Sequence, residues 1–469
     1  MDSPTSEVTP IPRGTRGVLL VTSSAAFTTP FMSSAANIAM PMIGDEFVLD
    51  AVSLGWVATA YLLAAAALLL PFGRLADIRG RRGVFLWGLV VHTLTSLFIA
   101  VAPTGAVLIA LRAVQGAGGA MVFATSVALL VSAAPPRDRG RLLGINVAAV
   151  YLGLTVGPFA GGLLTHTFGW RSLFLAVAAL GLITLVFAPR VLRAEKPQSA
   201  GEPFGLAASV LYSSALTALM LGFSFLPAAA GIGCLAAGFA ALAFFVSLQA
   251  RSTRPLLDVG LFRNNRVFAL SNAAALINYS ATFAVTFLMS LALQYSFGLD
   301  PRSAGLALIG QPLMMTIVSP LAGRMSDRIE PRVLASSGMA MLAVGLGALV
   351  FIDAHTPLWF IVALLAFIGI GFGLFSSPNT NAVMSSVPRS SYGVASSVLA
   401  TMRLSGQMLS MGIVILVFAT SLGKVRITPD QYPRFLGDAR IAFGIFAILS
   451  VVGMLASLVR GSVRDTSDS

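Results

Sequence analysis

Two arginines, Arg112 and Arg403, and one histidine, His92, stand inside long apolar stretches of this chain, while all 18 aspartates and glutamates fall in polar breaks, tails or stretch ends. An arginine facing lipid at mid-bilayer costs about 2.5 to 3.5 kcal/mol on insertion scales, so an embedded one is expected to face a cavity or a partner. Arg403 lies about twelve residues into its stretch, roughly 18 Å from one end at 1.5 Å per residue, and is expected near the midplane. Arg112 has Gln115 three residues on, so either a polar cavity or Gln115 and nearby carbonyls can hold it. A guanidinium binds anions and does not release its proton at ordinary pH. Two embedded cations without an embedded anion therefore favour anionic or neutral amphipathic small molecules. His92 is the remaining embedded group that titrates near neutrality, although a lone membrane histidine is more often a hydrogen-bonded packing residue.

The elements that must position these residues follow from composition. Hydrophobic residues make up 57%, charged residues 10%, and the mean hydropathy is +0.88, which excludes a water-soluble fold. About 20 apolar residues cross a bilayer as a helix. Runs between proline, glycine and charge breaks predict spans near 17–43, 52–72, 83–102, 105–134, 141–165, 171–189, 204–225, 228–248, 267–293, 303–323, 333–352, 358–386, 391–421 and 438–459. The first run is too long for the apolar part of a signal peptide and leads straight into a second span, so it reads as retained. The fold class expected is an all-α integral membrane protein of about fourteen transmembrane helices.

Most of the 30 basic residues fall in short breaks on one side if both termini are cytoplasmic, whereas Arg171, Arg302, Lys424, Arg426, Arg434 and Arg440 fall on the other. That bias matches the positive-inside rule and predicts a multi-pass protein of the cytoplasmic membrane. It also explains the net charge of +12 without nucleic acid, because no basic stripe or tail is present. The single Cys234 lies in an apolar run and offers neither a disulfide nor a metal site. No metal, cofactor or phosphate loop is expected; the lipid bilayer and a small-molecule substrate are the expected partners of a monomer.

A repeat is visible. Gly73-Arg74-Leu75-Ala76-Asp77 follows the second span and Gly323-Arg324-Met325-Ser326-Asp327 follows the tenth. Their placement predicts two parallel six-helix bundles with two inserted central helices, a plan that puts a site at the bundle interface. The expected division is a cytoplasmic tail at 1–16, an N-terminal bundle at 17–189, a linker at 190–203, two additional helices at 204–248, a second linker at 249–266, a C-terminal bundle at 267–459 and a tail at 460–469.

The loop Gly73-Arg74-Leu75-Ala76-Asp77-Ile78-Arg79-Gly80-Arg81-Arg82 resembles the signature of the major facilitator superfamily. Leu111-Arg112-Ala113-Val114-Gln115-Gly116 resembles its fourth-helix motif. Gly153-Leu154-Thr155-Val156-Gly157-Pro158-Phe159-Ala160-Gly161-Gly162 resembles its fifth-helix antiporter motif. With the span count, and with Arg254-Pro255-Leu256 through Phe262-Arg263-Asn264 ahead of the ninth span, the chain is similar to the fourteen-helix drug:proton antiporter branch. The resemblance implies efflux by alternating access and a conformational latch made by Gly73, Asp77, Arg79, Gly80, Arg81 and Arg82, with Asp327 in the repeat. The positive N-terminal end of the thirteenth helix, near Ser390 and Ser391, is the partner expected for Asp77. Gly153, Gly157 and Gly161 recur every four residues, so one helix face is expected to pack closely on a neighbour, with Pro158 and Gly162 beside it.

One departure stands out. The family's first-helix pattern carries an aspartate five residues before the asparagine that matches Asn37, and this chain has Met32 there. The membrane carboxylate that attracts cations and carries protons is missing from that position. The expected cavity set is Arg112, Gln115, Arg403, Asn37, Met32 and His92, with coupling to protons or to the membrane potential. An organic-anion carrier driven by the membrane potential, or an uptake symporter, is the alternative within the fold. A non-transporting membrane sensor is the alternative outside it. An enzyme is not expected, because no nucleophile, metal or acid-base cluster is present.

Overall fold

The computed structural model describes residues 13–135, 138–193, 197, 199–252, 255–326, 328–388, 392–423 and 425–461. Sixteen α-helices make up the described chain: α1 Arg13–Glu46, α2 Ala51–Arg79, α3 Arg81–Ala100, α4 Gly105–Ala133, α5 Arg139–Phe168, α6 Arg171–Val191, α7 Leu206–Phe225, α8 Ala229–Arg251, α9 Val259–Asn264, α10 Arg266–Tyr295, α11 Pro301–Leu308, α12 Gly310–Ser326, α13 Pro331–Leu349, α14 Leu358–Ser385, α15 Tyr392–Thr420 and α16 Tyr432–Val459. Fourteen segments are long and apolar enough to cross a membrane, with α11 and α12 forming one broken span. Residues 13 and 461 both lie on what we call the terminal face.

The break between α11 and α12 has a local cause. Pro312 has no N–H to give to the carbonyl of Leu308, and the ladder restarts where Leu313 N–H reaches Ile309. Helix starts are set by side-chain caps: Asp50 accepts from Ser53 N–H at 2.7 Å, Asn265 from Phe268 at 2.9 Å and Asp300 from Ser303 at 2.6 Å. Gly80, with φ of 97°, makes the turn from α2 to α3, a conformation that strains any residue with a Cβ.

Helices α1–α6 pack into one bundle and α10–α16 into a second, their shared apolar core running through both. The inserted α7 and α8 form a hairpin whose α7 touches α2 of the first bundle and α15 of the second. Three hydrogen bonds join it to α2: Tyr212 to the carbonyl of Ala66 at 3.4 Å, Ser213 to the carbonyl of Ala67 at 2.8 Å, and Trp56 Nε1 to Ser224 at 2.9 Å. Against α15, Tyr212 also meets Ser405 through its hydroxyl, and Met220 and Phe223 pack over Gly412.

Two elements differ from the sequence expectation. The last span begins at Tyr432, six residues before the expected 438, because Tyr432 stacks on Tyr295 at 5.3 Å and Phe435 packs on Phe418 at 6.0 Å. Asp438 thus falls in the second turn of α16, 2% exposed, and is a buried carboxylate of a membrane helix. Arg460, expected in a cytoplasmic tail, is fully buried and donates to Ser271 Oγ at 3.2 Å and Asn379 Oδ1 at 2.8 Å.

Candidate functional site

The site begins with Arg403, in the first half of α15 and only half-buried. Its Nη2 donates to Thr380 Oγ1 of α14 at 2.7 Å, and its guanidinium lies 5.7 Å from the ring centre of Tyr279 on α10. Tyr279 stands edge-on to Phe372 at 5.3 Å. A cation, a hydroxyl and two aromatic rings on three helices of the second bundle thus converge. One turn before Thr380, Ser376 accepts a hydrogen bond from the hydroxyl of Tyr151 on α5, at 3.3 Å, and Ser319 of α12 donates to the same hydroxyl at 3.3 Å. Thr155 and Thr316 meet one turn further along, at 2.9 Å. The Arg403 cluster is thereby joined to the seam between the bundles. Helices α5, α10, α12, α14 and α15 contain no aspartate or glutamate.

The other expected cavity residues lie elsewhere. Arg112 is 2% exposed inside the first bundle, donating to the carbonyl of Val57 at 3.0 Å and to Gln115 Oε1 at 2.6 Å, with Tyr61 at 4.7 Å. Gln115 passes the chain on to Ser96 Oγ at 2.7 Å. Such a network satisfies a buried guanidinium within one bundle. His92 faces a void of about 10 Å³ beside Thr28, Thr29 and Thr184, also inside the first bundle. Met32 and Asn37 are buried, and Asn37 offers its carbonyl to Ser290 of α10 at 2.7 Å. Of the six, Arg403 is the one at the polar seam, and Asn37 takes part in closure.

Closure of the face opposite the termini is built from several such contacts. Gln294 donates to the carbonyl of Ile38 at 3.1 Å, Ala51 N–H to Val425 at 3.1 Å, and Arg426 pairs with Asp45 at 2.9 Å. The glycine motif of α5 belongs here too. Added Cβ atoms at Gly153, Gly157 and Gly161 would collide with α1 at Phe27, Ser34 and Ala35, so these glycines seat α5 on α1. Gly162 instead faces the carbonyl of Pro301, and Gly305 of α11 faces the carbonyl of Pro158, so the motif's second face carries the contact with the other bundle.

At the terminal face, Asp77 accepts from Arg81 at 3.2 Å and Arg82 donates to the carbonyls of Leu192 and Pro189. Arg74 pairs with Glu202 at 2.6 Å. Gly73 has open space where a Cβ would stand, and Arg79 makes no hydrogen bond among the described residues. Ser390, Ser391 and Asp327 lie outside the described residues. Between described residues, the hydrogen bonds that join the two bundles run from the opposite face inward to Tyr151, and none lies in the outermost turns of the terminal face.

The carboxylate at Asp438 and the buried Arg460 were not read from sequence as site features. Tyr151, Ser376 and Ser319 were not singled out either; their hydroxyls are indistinguishable by type from the many serines and threonines that bond within their own helix.

Comparison with known proteins agrees with this architecture. The Major Facilitator Superfamily profile matches residues 22–266 and 272–468. The riboflavin transporter RibZ of Clostridioides difficile (strain 630) is 29% identical over 444 residues, 94% of this chain and 96% of that protein. The cephamycin export protein CmcT of Amycolatopsis lactamdurans is 33% identical over 458 residues, 95% of this chain and 93% of that protein. Among solved structures, a bacterial homologue of the human lysosomal transporter Spinster, inward-facing and unoccupied, superposes with a TM-score of 0.70 at 14% identity, covering 98% of this chain and 99% of that one.

Proposed function

This chain belongs to the Major Facilitator Superfamily of multi-pass membrane transporters, and from that premise we propose that it exports small anionic or neutral amphipathic molecules by alternating access about Arg403. It is a secondary transporter and not an enzyme. The observation that carries the substrate assignment is the half-buried Arg403 beside Tyr279 and Thr380, where the surrounding helices α5, α10, α12, α14 and α15 hold no carboxylate. A cation with aromatic neighbours binds a planar or apolar body that bears an anionic or polar edge.

Export is supported by the α5 glycine motif, whose second face meets α11, and by the likeness to a cephamycin export protein. The arginine bias toward the terminal face supports placing that face in the cytoplasm. In that orientation the inside-negative potential aids the expulsion of an anion by about 2.3 kcal/mol per charge per 100 mV, without a dedicated proton site. The two bundles rock about the seam while the Tyr151 and Thr155 contacts break and reform.

The test is flux of paired cationic and anionic dye-like solutes in proteoliposomes, with a pH gradient and an electrical potential imposed separately. The expected result is anion movement that follows the potential and is lost in Arg403→Ala. Cation movement driven by the pH gradient, unaffected by Arg403→Ala, would overturn both the substrate class and the energy source.

A further inference from the structure

At the terminal face a groove of about 320 Å³ lies between the end of α2, the start of α7 and the end of α8. Arg74, Pro203, Ala207, Leu248, Arg251 and Leu256 are among its walls. Arg74 is committed on one side to Glu202, at 2.6 Å, with its side chain 16% exposed. Arg251 is exposed and has no hydrogen-bond or ion-pair partner among the described residues. The pair Arg74 and Glu202 cancels, so the groove keeps the positive charge of Arg251. The start of α7 borders the same space: Gly205, the residue before the helix, makes no side-chain cap, and Gly205, Ala207 and Ala208 line the groove, so the positive end of the helix lies beside it.

A free guanidinium from Arg251, a second from Arg74 shared with Glu202, and the positive end of a helix around one hollow suit a phosphate oxygen cluster. The surroundings say which kind. Beside the groove α7 and α8 expose Leu206 and Leu248, and further along the two helices, away from the terminal face, they expose Val210 and Phe244, toward the bilayer's acyl chains. A ligand with a phosphate head and an apolar tail fits both halves, whereas free phosphate uses the upper half alone. Basic pockets between transmembrane helices at a membrane surface bind anionic lipid heads.

We propose that this groove holds the head group of an anionic phospholipid from the leaflet at the terminal face, with Arg251 as its principal cation and Arg74 as the second. The bound lipid fills the junction between α2 and the α7–α8 hairpin. The proposal does not depend on the substrate or direction of transport.

Native mass spectrometry of the purified full-length chain with equimolar phosphatidylglycerol and phosphatidylcholine tests it, with inorganic phosphate as a competitor in a second arm. Preferential retention of phosphatidylglycerol is expected, reduced about fivefold in Arg251→Ala, as one surface cation is lost. Ala207→Trp, which fills the groove from an exposed position, should reduce it as well, while Arg263→Ala on exposed α9 should not. Equal retention of the two lipids, or no change in both Arg251→Ala and Ala207→Trp, overturns the site. Displacement of the bound lipid by millimolar phosphate, with Arg251-dependent phosphate binding in its place, overturns the lipid assignment in favour of the free anion.

Discussion

The hydroxyl of Tyr151 on α5 lies 3.3 Å from Ser376 Oγ on α14 and 3.3 Å from Ser319 Oγ on α12, so one side chain of the first bundle ties two helices of the second. It is the innermost hydrogen-bonded link across the seam between described residues, and it adjoins the Arg403 cluster.

Removing that hydroxyl should loosen closure without unfolding the protein. Both bonds are long, and a net worth of about 0.5 to 1.5 kcal/mol converts to a roughly two- to tenfold shift between states. Tyr151→Phe, with Cys234 replaced and spin labels at exposed Arg141 and Arg328, should shift the distribution of distances between the start of α5 and the turn after α12. An unchanged distribution, with unchanged transport, would assign Tyr151 to packing.

The glycines on the two faces of α5 should fail differently. Gly162→Val and Gly305→Val put bulk between α5 and α11, so they should hold the opposite face open and lower transport at least about tenfold while the protein stays folded. Gly161→Val meets Ala35 within the same bundle, at 2.8 Å, and should lower stability by about 1 to 3 kcal/mol. Thiol labelling from the opposite face separates the two effects, and equal labelling in all three variants would refute the distinction.

Arg112→Ala leaves Gln115 Oε1 without its donor, at about 1 to 3 kcal/mol for a buried group, while the Val57 carbonyl, inside α2, keeps its helical bond. Arg112→Lys keeps the charge but not the fork that reaches both acceptors. A lower thermal midpoint in both variants, with KM little changed, is the expected result. A tenfold rise in KM at an unchanged midpoint would instead place Arg112 in contact with substrate.

The cap on α11 should be insensitive to physiological pH. The Ser303 backbone N–H, followed by its hydroxyl, holds the Asp300 carboxyl below its ordinary value. A depressed carboxylate contributes stability that is present above the unfolded pKa, near 4, and is lost as pH falls through the lower folded value. Asp300→Ala should therefore cost at most about 1 kcal/mol, reduced by its exposure, and equally at pH 6 and pH 8. A pH-dependent difference between wild type and variant over that interval would refute this account of the cap.

Axial information was legible in the sequence and azimuthal information was not. Apolar length located all fourteen spans, and the four-residue glycine repeat lies along the face of α5 that packs on α1. The direction in which a side chain points is harder to read, because lipid and bundle interior are equally apolar and leave little amphipathic signature. Arg112 and Arg403 look alike in sequence, yet one is buried against a carbonyl and an amide of its bundle, and the other is half-buried and bonds Thr380 one turn from the Tyr151–Ser376 link. Asp438 and Arg460 were misplaced for a related reason: polar flanks read as loop or tail, whereas aromatic stacking in one case and paired amide and hydroxyl acceptors in the other draw them in. Pairs such as Tyr151 and Ser376 leave no local pattern at all, since tertiary packing alone brings them together.

The α7–α8 hairpin makes the molecule lopsided toward the lipid. It lies over the join between α2 and α15 from Ser213, beside Ala67, to Ser224, beside Trp56. The join between α5 and α12 has no such cover among the described residues. Of the two joins, the one between α5 and α12 is therefore the one that meets lipid without a covering helix among the described residues, and Tyr151 and Thr155 are the side chains that close it.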